Sequence, residues 1–389
     1  MITSLLLLSL AAGEPSVEVP LEVEGWHFAL FPVASYASDV GLTVGGAIFM
    51  YSPVPGHPDE QDAVTLSSSY ATRGPRQADG SWAHQRILGL PLRTNVNLHV
   101  GDEPFMPYWG EGARLGGLGV PTGAGTPPVP YRYHDRRFFA AASLRGPFLG
   151  AFGWHVRARF LDVGVPEPSA LLVRSAPPGE RGGRVALFEA GLLYDTRDRP
   201  LSAHSGVLLA AAAFAAPQLQ GVSDFAFHGY DASARAYVPL VFGATLAMRA
   251  LYDRKLAGVP TRSDATRAVP FFERSLYEGI AYGEGMGGAS TVRGIARYRL
   301  AGDEKALASA ELRVSLFSTH LLDKTQEYGL DGGIDYGWAR QPGYPAVDDA
   351  GASAGLRLIW DRAILIRVEM ARAVRGGDQT LYVSFGEQF

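Results

Sequence analysis

The sequence predicts an all-β fold, one transmembrane antiparallel β-barrel of about 16 strands. Three observations lead there. From Trp26 onward, apolar and polar residues alternate in stretches of about 9–14 residues separated by Gly, Pro, Asp and Ser turns. Strand after strand sets Arg, Asp or Glu against small or aliphatic partners, and amphipathic helical patterns that could cover a second layer are scarce. A soluble sandwich accounts for any one such strand; lipid outside and water inside a barrel account for all of them together. Lastly, 47 Gly, 19 Phe, 17 Tyr and 6 Trp supply tight turns and interfacial aromatic girdles. Past the N-terminus, no run of about 20 apolar residues is present for a helical span.

The elements follow in order. Leu5 to Leu10 form a short apolar core, and Ala11-Ala12-Gly13 offers small residues for cleavage before Glu14. Residues 1–13 therefore read as a signal peptide, 14–25 as a short periplasmic segment and 26–389 as the barrel. The core is too short to cross a bilayer and no Lys or Arg precedes it, so a buried N-terminal strand is the alternative. Strands are predicted near 26–37, 40–52, 61–72, 82–90, 92–101, 131–145, 148–163 and 183–196. Further ones are predicted near 204–216, 222–239, 242–255, 306–318, 326–339, 349–360, 362–373 and 378–389. The alternation is plain in several. Trp154, Val156, Ala158 and Phe160 oppose His155, Arg157 and Arg159; Leu246, Met248, Ala250 and Tyr252 oppose Thr245, Arg249 and Asp253; Ile366, Val368 and Met370 oppose Arg367 and Glu369.

Connections differ in length. Gly146-Pro147, Pro239 to Gly243 and Asp361 are short, as periplasmic turns are, and 102–130 and 256–305 are long, as extracellular loops are. The 256–305 segment is too long and too patterned to be mere connection. Pro32 removes a ladder donor from the first strand, which predicts a short or loose first–last seam, or a strand that starts later.

The net charge of −4 leaves no polybasic footprint for nucleic acid, and the absence of cysteine excludes disulfides and thiol metal sites. Positive charge is nearly all arginine, the lysines being Lys255, Lys305 and Lys324. The nine histidines show no zinc spacing, no G-x-S-x-G elbow occurs, and Gly283 to Gly288 lacks the Lys-Ser/Thr of a phosphate loop. No enzyme, metal or cofactor is expected. Asp195 and Asp198 suggest oxygen ligands for calcium, but a turn in which they pair with Arg197 and cap amides explains them better. His155 and His228 are the candidates for a Ser/His pair on the lipid-facing wall, and parity is all that recommends them.

Four stretches resemble the barrels of the BamA/TamA family, the bacterial surface antigens. Val292-Arg293-Gly294-Ile295 resembles the family's (V/I)RG(F/Y) loop tip, and Ala308-Ser309-Ala310-Glu311-Leu312-Arg313 its N-x-E-L-R strand. Ile334-Asp335-Tyr336-Gly337-Trp338 resembles its F-x-D-x-G strand, and Tyr194-Asp195-Thr196-Arg197-Asp198, with Pro200 and Gly206, its D-T-R-D hairpin. Tyr108-Trp109-Gly110-Glu111-Gly112 is similar to an F-Y-G-x-G segment, and by itself reads as an aromatic turn near the membrane surface. The last strand, with Leu381, Val383, Phe385 and Phe389 on one face, resembles the segment that the outer-membrane assembly machinery reads.

The resemblance implies an outer-membrane barrel whose long loop folds into the lumen and plants Arg293 against Glu311 and Asp335. A planar guanidinium suits that latch because it binds carboxylates bidentately and stays charged, and Gly294 permits a sharp turn or close approach. It implies insertion or translocation of protein or lipid, with membrane lipid and a separately encoded periplasmic protein as partners. A passive pore or structural barrel, oligomeric or not, is the alternative. Two departures stand out: Ile295 replaces the usual aromatic, implying looser packing of the tip, and no periplasmic POTRA domain is expected ahead of the first strand.

Overall fold

The computed structural model describes residues 25–37, 40–113, 131–198, 202–257, 267–277, 285–321, 324–360, 364–375 and 379–385. The predicted signal and nearly all of the 14–25 segment lie outside the described residues, as do Asp361 and Phe389. Among the described residues, sixteen antiparallel strands run in chain order around one sheet, which is the predicted number. They are β1 (His27–Ala37), β2 (Gly41–Val54), β3 (His57–Ala71), β4 (Arg76–His84), β5 (Arg93–Pro107), β6 (Arg132–Leu149), β7 (Phe152–Glu167) and β8 (Gly182–Asp195). The others are β9 (Gly206–Ala216), β10 (Phe227–Pro239), β11 (Ala244–Leu256), β12 (Glu304–Leu321), β13 (Lys324–Arg340), β14 (Val347–Trp360), β15 (Ile364–Ala373) and β16 (Thr380–Phe385). Each strand is hydrogen-bonded to its sequence neighbours, so between neighbouring strands the backbone polar groups are satisfied as hydrocarbon demands. β1 and β16 lie side by side, yet no ladder joins them among the described residues.

Alternation decides which residues face where. On β11 every odd position from Thr245 to Lys255 is buried toward the lumen, while Met248 and Ala250 are exposed on the outer wall. Leu66, Trp82, Leu192, Ile334 and Leu356 are likewise exposed, and Arg249, Glu311, Asp335 and Arg367 are buried. This inverts a soluble protein and is what lipid outside requires.

Connections from even to odd strands form a rim of short turns, and those from odd to even form the opposite rim, with the long 5–6 and 11–12 loops. Several boundaries differ from expectation, among them the start of β4 at Arg76 rather than 82. Gly146 and Pro147 are not the turn but paired residues of β6, opposite Trp154 and Gly153; Leu149 still pairs with Phe152, and the chain reverses at Gly150 with φ +56°. Proline is tolerated there because it sits beside a register shift at the strand end. The fourth strand ends at His84 rather than running through 90, because Leu88 (φ 53°) and Gly89 (φ 77°) turn left-handed. The fifth strand continues to Pro107 across an irregularity between Glu103 and Met106, which shortens the predicted 102–130 loop.

The core is inside the barrel. Tyr108, Trp109, Tyr131 and Tyr133 from the 5–6 loop and its strands pack with Phe271, Phe272 and Tyr298 of the 11–12 loop. The aromatic turn at 108–112 is therefore buried in the lumen, not placed at the membrane surface; Trp109 Nε1 donates to the Arg297 carbonyl at 3.1 Å. A second cluster gathers Val292, Ile295, Met286 and Leu300 against Leu251 and Leu307 of the wall. Ile295 is fully buried in it, so the aliphatic side chain fills the tip site without the looseness expected.

Candidate functional site

The described parts of the 11–12 loop, 267–277 and 285–303, lie in the lumen and are fastened to its walls by ion pairs. Arg293 is fully buried. Its Nε donates to Asp335 Oδ2 at 2.7 Å and its Nη2 to Oδ1 at 3.2 Å, the two-pronged geometry that suits a guanidinium. Nη1 donates to Glu311 Oε2 at 2.8 Å and to Glu369 Oε1 at 2.7 Å. The predicted trio is thus brought together, with Glu369 as a fourth member that sequence reasoning left out. Its signal was present: Glu369 sits on the charged side of an alternating β15, two strands along the sheet from β13, which carries Asp335. Burial opposes the charge on Arg293, but Asp335, Glu369 and Glu311 outweigh it and hold the guanidinium above its ordinary pKa.

The cluster extends along the wall. Arg313 Nε donates to Glu311 Oε1 at 2.7 Å, and Arg367 Nη2 reaches Glu311 at 3.1 Å and Glu369 at 2.6 Å. Three guanidinia therefore interleave with the carboxylates of three strands. Charges this deep persist because each is paired; loss of one partner leaves another buried and uncompensated.

Two glycines make the approach possible. Gly294 has φ +82°, and a Cβ there would lie 2.4 Å from the Arg372 carbonyl carbon. A Cβ on Gly351 of β14 would lie 1.8 Å from the Arg293 carbonyl oxygen. The loop tip also touches the last strand, where the Gly294 amide donates to Tyr382 Oη at 3.2 Å.

Other anchors hold the same loop elsewhere. Glu273, in the short helix α1 (Phe271–Arg274), accepts two hydrogen bonds from Arg159 of β7, at 2.7 and 2.9 Å, with both side chains buried. Arg297 pairs with Glu103 of β5, and Arg274 with Glu111 and Asp303. Lys255 and Lys305 share Asp253 Oδ1 at 3.1 Å each, and donate to the loop carbonyls of Leu276 and Arg274. The loop is a brace between opposite walls as well as a tip on one of them.

The remaining sequence candidates sit apart from this site. Asp195 binds Arg197 through both oxygens at 3.0 and 2.9 Å, and Asp198 accepts the His204 and Ser205 amides. His155 faces the lumen 3.1 Å from Glu189, whereas His228 is exposed on the outer wall, so the two are on different faces. Leu381, Val383 and Phe385 are in register with Met370, Val368 and Ile366 of β15.

The comparisons with known proteins agree with this architecture. The model of the Omp85 superfamily domain matches residues 184–389. BamA from Haemophilus ducreyi lacking POTRA domains 1–3 is similar in structure, with a TM-score of 0.55 and 14% identity over 93% of this chain and 70% of that one. CdiB from Acinetobacter baumannii gives 0.52 and 15% over 93% of this chain, and CdiB from Escherichia coli 0.55 and 13% over 92%. The chain spans 60% and 61% of those two CdiB chains. At such identities the likeness is one of fold. No curated protein matches the sequence.

Proposed function

Because the chain belongs to the Omp85 superfamily and is a bacterial outer-membrane barrel, we propose that it takes part in inserting or translocating polypeptide, or lipid, at that membrane. In this reading the first–last seam is the moving part and the loop is its latch. The supporting observation is the link between the two. Arg293 holds Glu369 on β15 and Gly294 holds Tyr382 on β16, next to a seam with no ladder among the described residues. Unpaired backbone groups facing hydrocarbon cost several kcal/mol each, so this edge is where an arriving strand gains most. Pro32, exposed on β1, weakens the same edge. A separately encoded periplasmic protein supplies the client, and no catalytic residue is assigned.

A cysteine pair across β1 and β16 tests the seam in a chain that has no native cysteine. The oxidised barrel in liposomes is expected to stop assisting insertion of an unfolded outer-membrane protein, and reduction to restore it. Undiminished activity in the crosslinked barrel sinks the moving-seam reading. The chamber walled by strands from β3 to β11, about 630 Å³ in volume, favours a passive pore as the second reading. Planar-bilayer conductance separates them: channels unaffected by Arg293→Ala speak for the pore, and channels altered by it for a latched transporter.

A further inference from the structure

The short-turn side of the lumen carries charges that the loop does not reach. There the chamber is walled by strands from β3 to β11. It adjoins a hollow of about 340 Å³ at the rim, and the two share Arg145, Leu193 and Arg197. Arg93 and Arg145 stand directly opposite each other across β5 and β6. Like charges in that position destabilise a strand pair. Arg145 and Arg235 form no hydrogen bond or ion pair with any described residue, and the Arg235 Nε is buried without a partner. Arg93 has only a 3.5 Å approach to Glu60, which already holds Arg86 at 2.8 Å. By contrast Arg157 and Arg197 on the same walls are matched by Glu189 and Asp195.

Around the loop tip arginine is interleaved with carboxylate, so unmatched guanidinia facing open space point to an anion from outside the chain. We propose that the short-turn mouth is a binding site for an acidic peptide segment. Its carboxylates enter between Arg93 and Arg145 and reach Arg235 farther in. The walls between the arginines offer Ser81, Asn95, Asn97, Ser143 and Ser233. Such a series of neutral donors and acceptors suits the repeating amides of an extended peptide, and a single phosphate headgroup leaves it unused. The site is independent of the moving seam, because it needs no strand to open.

The full-length barrel in detergent micelles is titrated with fluorescein-labelled hexaglutamate, and with hexaglutamine as control. Hexaglutamate is expected to bind, more weakly as salt rises, and hexaglutamine not to bind. The Arg145→Gln/Arg235→Gln double variant removes repulsion rather than contacts, so it keeps its fold, checked by heat-modifiable gel mobility. It is expected to lose at least about tenfold in affinity. Arg93→Gln alone gives a smaller loss in the same direction and serves if the double variant misfolds. Arg184→Gln, on the opposite rim, leaves binding unchanged. Undiminished affinity in the arginine variants, or equal binding of hexaglutamine, overturns the site. Displacement of hexaglutamate by an equal concentration of inorganic phosphate overturns the peptide as its occupant.

Discussion

Two stretches of the barrel wall obey the same alternation and carry different chemistry. On β3 and β4 the inward positions are Thr65, Ser67, Ser69, Gln77, Asp79 and Ser81, all half-buried along the open part of the lumen. On β11 to β15 they include Arg249, Asp253, Lys305, Glu311, Asp335 and Glu369, all buried. Both walls face away from lipid, so position in the membrane does not explain the contrast. Cover by the loop does. Where water reaches β3 and β4, mostly uncharged polar groups suffice; where the loop displaces water, charges persist only because the loop or a neighbouring strand neutralises them. The family model matches 184–389, the part of the chain that contains the covered wall and its loop.

That contrast can be broken by substitution. Arg293→Ala takes the two-pronged partner from Asp335 and leaves Glu311 and Glu369 to Arg313 and Arg367 in a dry site; it is expected to cost roughly 3–5 kcal/mol, read as a lower urea midpoint of the refolded barrel. Glu273→Gln keeps an acceptor for Arg159 but removes the charge, and about 1–3 kcal/mol is expected from the same unfolding curve. Ser67→Ala on the open wall is expected to stay within about 0.5 kcal/mol of the parent. A loss at Ser67 comparable to that at Arg293 would mean that loop cover is not what distinguishes the walls.

Much of this was legible in the residues. Alternation at Trp154–Phe160 and Thr245–Asp253 located strands and faces, because a period of two leaves a visible mark even when average hydropathy is near zero. Arg293, Glu311 and Asp335 were found through motif resemblance and share one site. Which distant charges would meet was not visible. Glu369 and Arg367 belong to the cluster through barrel curvature, which brings β15 toward a loop 76 residues earlier in the chain. Arg159 and Glu273 are 114 residues apart, and neither lies in a motif. Gly146-Pro147 resembled a turn because both residues break strands in general, yet the chain turns beyond them at Gly150, where a left-handed φ is needed.

The near absence of lysine has a practical consequence. Of Lys255, Lys305 and Lys324, the first two are sealed beneath the loop around Asp253. An acylating reagent that finds no other side-chain amines than these three thus reports the loop directly. Lys255 and Lys305 resist modification while the loop is docked and react when it leaves, so the mass of the labelled chain counts the undocked molecules.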